Sequence, residues 1–330
     1  MTSDKSDLHV VFGTGPLGLA VMRELLNRGK SVRLVNTRGV ADVPPEVEVC
    51  QGNAYAVAST RELTRGAAVV YQCAMPPYHE WPQKFPALQA SILEGTAANG
   101  AKLVLGDNLY MYGSVAGTIR EDLPYRAHTR KGRLRAELAQ SALAAHQAGK
   151  VRVTIGRGST FFGPGVLNST LGERAIRPAL AGKAAQLIGD LDTPHTHTFI
   201  DDFGRALVIL GERDEALGQA WHVPNDRPAI TQRELMTLFF EEIGKPPKLK
   251  AMGRRMLTFA GLFVPAARET VEMLYEFEQP FVVDSGKFER AFDMKATPVR
   301  SAIRATVNWY REHAPTQQRR AAPVAVANRP

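Results

Sequence analysis

An α/β fold is predicted for this chain, a doubly wound parallel sheet followed by a smaller C-terminal region that caps it. Three observations predict it. Short apolar runs alternate with helical stretches through the first half, and a glycine-rich turn joins the first run to the first helix. After about Phe161 the regularity weakens into proline-punctuated segments such as "FFGPGVLNST", "GDLDTPHTHTFIDD" and "WHVPNDRPAITQREL". At 330 residues the chain is long enough to bury a sizeable core.

The elements follow in order. "HVVFGTG" is a strand entering a glycine turn, and "LGLAVMRELLNRG" is a helix stopped at Gly29. "SVRLVNT", "VEVCQGN" and "AVVYQCAMP" are the next strands. "KFPALQASILEGTAANG" is a helix stopped at Gly100, and "AKLVLGDNLYMYG" is a strand running into a loop. A helix from about Gly132 to Gln147 precedes the strand "VRVTIGRGS". In such a sheet ligands sit beyond the carboxyl ends of the strands. No internal repeat is visible.

"GTGPLG" places Gly13, Gly15 and Gly18 in GxGxxG spacing between a strand and a helix, with Pro16 and Leu17 between them. The first glycine allows the tight turn, the second lets a pyrophosphate approach the backbone, and the third packs helix on strand. The helix amino terminus then faces the phosphates, so a Rossmann-type dinucleotide site is expected. At the end of the second strand an NAD site usually offers a carboxylate to the ribose hydroxyls. Here stand Asn36, Thr37 and Arg38, with no carboxylate and an arginine able to pair with a 2′-phosphate. NADP(H) is therefore favoured over NAD(H). The expected division is 1–160 for mainly the NAD(P)-binding domain and 161–312 for mainly the substrate-capping region, interleaved with the sheet. A disordered tail is expected over 313–330.

The net charge of +8 lies partly in that tail, "APTQQRRAAPVAVANRP", and partly in "RAHTRKGRLR". No nucleic-acid motif accompanies the basic run, which reads as a solvated helix face near an anionic cofactor. No membrane span and no secretory signal are visible, and two cysteines make no disulfide framework. A cytoplasmic protein without nucleic-acid or membrane partners is expected. His195 and His197 share a strand face near Asp201 and Asp202, but that segment reads as a strand followed by a helix capped by Asp202. No metal is assigned.

These features resemble the extended short-chain dehydrogenase/reductase superfamily, close to its NAD-dependent epimerase/dehydratase branch. The resemblance runs from about His9 to Glu312 through "GTGPLG", "GN" at Gly52 and Asn53, "LVLGDNLYMYG", the lysine of "RKGRLRAE", "GRGSTFFGPG", "HTFIDDFGRAL" and "VDSGKFERAF". It implies that Asn53 and Ala54 lie near the adenine, that Cys73 and Ala74 line the cofactor, and that Gly158 and Ser159 lie by the nicotinamide. It implies a homodimer paired through the Phe85–Asn99 and Gly132–Gln147 helices. It also implies a serine or threonine, with a tyrosine and a lysine in YxxxK spacing, acting on a carbonyl or alcohol.

The lysine is present as Lys131. The serine/threonine position, five before Gly113, is Asn108, whose amide can still donate to a substrate oxygen. The tyrosine position, four before Lys131, is Ala127, which cannot transfer a proton. The sequence thus resembles the atypical members, and Tyr125 and Tyr110 are the leading replacements, with Tyr112 and a water relay behind them.

Relatives acting on nucleotide sugars usually carry an arginine clamp before the segment resembling "VDSGKFERAF". Here stand Glu272, Glu276 and Glu278, which would repel a diphosphate. The apolar residues Met256, Leu257, Phe259, Leu262, Phe263, Met273, Leu274 and Phe277 suit core, dimer interface or pocket. The expected activity is an NADP(H)-dependent oxidoreductase acting on a small, rather apolar carbonyl or alcohol. The rivals are a non-catalytic redox sensor and an epimerase/dehydratase.

Overall fold

The computed structural model of the protein describes residues 7–263 and 265–313. The predicted tail falls, beyond His313, outside the described residues. Seven parallel strands form the central sheet, in the order Ala220–His222, Arg152–Arg157, Lys102–Asp107, Ala67–Gln72, Leu8–Phe12, Ser31–Asn36, Glu48–Gln51. The central strands are nearly continuous apolar runs, because helices bury both faces of a parallel sheet.

On one face the helices Pro16–Asn27 and Ile200–Glu212 pack against each other and the sheet around Val11, Leu25, Val104, Phe203 and Leu207. Gly204 makes their contact possible, since a Cβ there would stand 2.6 Å from the Ala20 backbone. On the other face, Trp81–Ala98 and Arg130–Gln147 enclose Phe85, Ile92, Leu103, Leu138 and Ile155. The helix expected from Lys84 starts earlier, at Trp81, because Pro82 stands in the first turn, where a missing N–H costs no intrahelical bond.

After residue 161 the chain forms a third core. Helices Glu173–Leu180, Gln232–Ile243 and Val299–Glu312 meet around Ile176, Phe239, Phe240 and Ile303. Thr231 and Glu234 close a capping box that starts the second of these. Ile200–Glu212 and Ala220–His222 nevertheless complete the first layer, so the two parts are interleaved. Asp202 is not the helix cap that its position suggests. Phe199 occupies that place, and the buried Asp202 carboxylate accepts bonds from the Thr297 N–H and hydroxyl, both at 2.8 Å. Among the described residues no helix is long and apolar enough to cross a membrane.

Strand order reverses between Leu8–Phe12 and Ala67–Gln72, which leaves a crevice beyond their carboxyl ends. The turn Leu274–Phe277 and the helices Arg254–Gly261 and Pro265–Glu272 lie over the far side of that crevice.

Candidate active site

Three glycines frame the crevice, and only two are explained by the protein itself. Gly13 has φ of 106°, and a Cβ there would stand 2.8 Å from the Ala74 nitrogen. A Cβ on Gly18 would stand 1.9 Å from the Gly13 carbonyl oxygen. Gly15 has an ordinary φ of −76° and no atom within 4 Å of where its Cβ would be. Neither strain nor crowding among the described residues requires glycine there, and the open space leaves room for a ligand to approach the backbone. Gly15 begins Pro16–Asn27, with Pro16 in the first turn, no acidic residue there and no side chain capping the free N–H groups. These residues fit a dinucleotide pyrophosphate. Leu17 packs beneath, against Gly106.

At the end of the second strand, Asn36 spends its side chain on the loop. Its carboxamide oxygen accepts from the N–H of Arg38 (2.8 Å) and of Gly39 (2.7 Å), and its NH2 donates to the Val40 carbonyl (2.9 Å). Thr37 and Arg38 are exposed, and the Arg38 guanidinium pairs with no carboxylate among the described residues. Asn53 folds its own turn, accepting from the Tyr55 N–H, with Ala54 beside it. Burial pushes the Cys73 thiol far up, which makes it a packing group rather than a nucleophile. Gly158 packs on Phe203, and the Ser159 hydroxyl is buried without a hydrogen-bond partner among the described residues.

Lys131 lies in the first turn of Arg130–Gln147, whose start is capped by Thr129. Gly132 lets this turn approach the Tyr110–Tyr112 turn, since a Cβ there would stand 2.6 Å from the Tyr110 carbonyl. The Lys131 ammonium is 4.5 Å from the Tyr78 ring centre, and Lys131 is only 1% exposed. It donates to both Glu269 and Glu272, the latter at 3.1 Å, and its backbone N–H donates to Glu272 as well. Burial works against the charge of Glu272, yet these Lys131 donors outweigh it and hold the carboxyl below its usual value.

The remaining candidates divide into two groups. Asn108 follows Asp107, and its carboxamide oxygen accepts from the Tyr110 N–H (3.2 Å) and Arg135 (3.3 Å), which directs its NH2 end outward as the donor. The Tyr110 hydroxyl meets that of Tyr78 at 3.5 Å, beside Lys131. Tyr125 instead accepts from Arg157 at 2.5 Å, in a buried network with Tyr112, Asp107 and His222. The structure therefore brings Lys131, Asn108 and Tyr110 together and holds Tyr125 on the arginine behind them. His128 is exposed, with its ring 4.7 Å from that of Tyr275.

Tyr78, within "PPYHEW", a segment whose aromatic rings suit either a pocket wall or a packed surface loop, stands by Lys131 and Tyr110. Other polar groups at this end are not visible in any local motif. Glu269 and Glu272 come from a helix 141 residues away from Lys131 at the longer separation. His195 Nδ1 lies 3.0 Å from the Glu276 carbonyl, which can only accept, so Nδ1 carries the proton and Nε2 accepts from the Thr160 hydroxyl at 2.9 Å. Burial pushes His195 down to about 4, which keeps it neutral. The acidic residues Glu272, Glu276 and Glu278 were a sequence signal read only against a diphosphate, whereas Glu272 pairs with Lys131 and Glu278 with Arg254. Among the described residues no group of three or more His, Cys, Asp or Glu is placed to hold a metal ion.

The apolar stripe splits. Leu257, Met273, Leu274 and Phe277 are buried, whereas Phe259 and Phe263 are 67% and 75% exposed, with Met256 and Leu262 beside them.

Comparisons with known proteins agree with this architecture. A dTDP-glucose 4,6-dehydratase from Streptomyces venezuelae, bound to NAD, is similar with a TM-score of 0.76 at 18% identity, over 93% of this chain and 97% of that one. A dTDP-glucose 4,6-dehydratase from Bacillus anthracis, in complex with NAD, gives 0.76 at 16% identity, over 93% and 97%. A UDP-glucuronic acid 4-epimerase from Bacillus cereus, with UDP-glucuronic acid and NAD, gives 0.74 at 16%, over 92% and 99%. No curated protein sequence matches the chain. The sequence model of the NAD dependent epimerase/dehydratase family matches residues 10–223, and the chain belongs to that family.

Proposed function

We propose that this protein is an NADP(H)-dependent oxidoreductase of the atypical extended type, acting on a small, rather apolar carbonyl or alcohol. The observation that carries this reading is the constellation of Lys131, Tyr78, Tyr110 and Asn108 at the carboxyl end of Lys102–Asp107, across the crevice from the open face of Gly15. When bound, the reduced cofactor supplies a hydride to the substrate carbon. Gly13, Gly15, Pro16, Leu17 and Gly18 receive the pyrophosphate, Asn53, Ala54, Cys73 and Ala74 border the adenine half, and Gly158 and Ser159 border the nicotinamide. Arg38 pairs with a 2′-phosphate, and Lys131 holds the nicotinamide ribose. The Asn108 amide and the Tyr110 hydroxyl hydrogen-bond the substrate oxygen. Tyr125 acts from behind, by fixing Arg157 and through it Asp107.

The dehydratases and epimerase of similar fold are described with dTDP or UDP sugars. Glu272, Glu276 and Glu278 stand here in place of an arginine that would hold a diphosphate, with Glu272 paired to Lys131 and Glu278 to Arg254. A sensor reading is favoured by one observation, that Lys131 is already paired with two carboxylates. We also propose that helices Trp81–Ala98 and Arg130–Gln147, adjacent on one face, pair two copies of the chain.

Titration of the purified protein with NADPH and NADH, followed by absorbance of the reduced cofactor against a panel of aldehydes and ketones, tests the reading. Tighter NADPH binding with turnover of an apolar carbonyl is expected. Cofactor binding with no carbonyl reduced would establish the sensor, and preference for NADH would remove the role given to Arg38.

A further inference from the structure

The family's proton donor is missing at Ala127, and the structure places another ionisable group at the same end of the crevice. Glu276 lies in the turn Leu274–Phe277, only 3% exposed, and its Oε1 has no hydrogen-bond partner among the described residues. The neighbouring Tyr275 hydroxyl is the one group that favours the ionised form of this carboxyl, and burial outweighs it. A buried polar atom left unpaired is costly, so Glu276 Oε1 points to a ligand group that completes it.

Position sets Glu276 apart from other buried acids. Its backbone carbonyl is tied to His195, whose ring binds Thr160, two residues after Gly158. Its side chain is near enough to Tyr78 and Tyr110 for its charge to add to burial, the larger cause, in raising both phenols. It therefore stands between the Thr160 wall and the Tyr78–Tyr110–Lys131 wall. The groups facing it are Tyr78, Tyr110 and Tyr275, with neutral His195 behind; the cations Lys131 and Arg130 are neutralised by Glu269 and Glu272. No cation on these elements is free to compensate a carboxylate, and burial outweighs the Tyr275 hydroxyl and pushes the carboxyl well above its ordinary value. The phenols are pushed up too, which weakens them as acids.

We propose that Glu276 is a protonated carboxylic acid that donates the proton to the substrate's carbonyl oxygen, in place of the tyrosine absent at Ala127. This rests on the reductase reading above. The reductant is the reduced nicotinamide cofactor. As the carbonyl carbon accepts its hydride, the C=O π pair takes the Glu276 proton, the Glu276 O–H bond breaks and the alcohol O–H bond forms. The resulting carboxylate is reprotonated from water when product leaves.

The test compares the wild type with Glu276→Gln, which preserves shape and hydrogen bonding but holds no transferable acid, and with Glu276→Asp. The infrared carbonyl-stretch band of a protonated carboxyl is expected in the cofactor-free wild type at neutral pH and absent in Glu276→Gln. A group whose folded value is raised loses stability as pH rises past its unfolded value, so Glu276→Gln should melt higher at neutral pH, with the gain vanishing towards about pH 4. NADPH affinity should be unchanged, while single-turnover carbonyl reduction falls roughly 100-fold, the lower range for general-acid catalysis, and loses its dependence on pH. Glu276→Asp should recover part of the rate. Equal rates in wild type and Glu276→Gln would overturn the proposal and leave the reductase reading standing. So would absence of the infrared band from the wild type. A wild type that carries the band, binds NADPH and reduces no carbonyl would overturn the reductase reading, and the proposed step with it.

Discussion

The two sides of the crevice are built from different materials. The side formed by the glycine turn presents backbone, with one open glycine, a helix start that no side chain caps among the described residues, and a loop whose Asn36 side chain binds the loop's own backbone. The opposite side presents ionisable side chains, with Lys131 clasped by Glu269 and Glu272, a buried unpaired carboxyl at Glu276, and phenols pressed together. Backbone groups form a site whose polarity cannot titrate and whose shape is set by local geometry. Carboxyl groups form one whose charge depends on what else is buried with them. The difference teaches where this protein keeps generic recognition and where it keeps its own chemistry.

The sharpest way to break the comparison is at the glycines. Gly18→Ala would drive a Cβ into the Gly13 carbonyl, and a loss of about 3 kcal/mol of stability is expected from forced repacking, read as a lower denaturation midpoint. Gly15→Val, in open space, should keep the wild-type midpoint and lose more than about tenfold in NADPH affinity, or about 1.4 kcal/mol. If both variants lose stability equally, Gly15 serves the fold rather than a ligand.

A second variant sharpens the acidic side. Replacing Glu269 and Glu272 by Gln leaves the buried Lys131 without its partners, and removing partners from a buried ion costs about 3 kcal/mol. The cofactor-free protein should melt lower, and saturating NADPH should raise its melting point by more than it raises that of the wild type. An equal cofactor-induced rise in both would show that the ribose and these carboxylates do not compete for Lys131.

The smallest effect is expected at exposed Arg38. Arg38→Ala should weaken NADPH roughly tenfold, the value of one charge-assisted contact, and leave NADH unchanged. A parallel loss for both cofactors would mean that Arg38 shapes the loop and reads no phosphate.

The legibility of the chain follows the same divide. Strands such as Ser31–Asn36 and Lys102–Asp107 are contiguous apolar runs, and "GTGPLG" is a local turn, so composition over a few residues suffices to read them. The start of Trp81–Ala98 was harder, because Pro82 looks like a breaker and is in fact suited to a first turn. Tyr110 and Tyr125 could not be separated by sequence distance from Ala127. Arg157, on a strand 32 residues after Tyr125, takes that hydroxyl and leaves Tyr110 beside Tyr78.

By itself, the sequence determined the parallel doubly wound sheet and the glycine turn, which depend on periodicity and spacing along one element, where a few torsions set the outcome. Ala127 and Lys131 stood out through the family resemblance. Only the tertiary structure decided that Glu269 and Glu272 close on Lys131, that Asp202 ties the last helix instead of capping its own, and that Glu276 lies buried without a partner. The physical reason is that ionisation and pairing are set by what surrounds a group in space, and the partners of Lys131 and Asp202 arrive from 95 to 141 residues away along the chain.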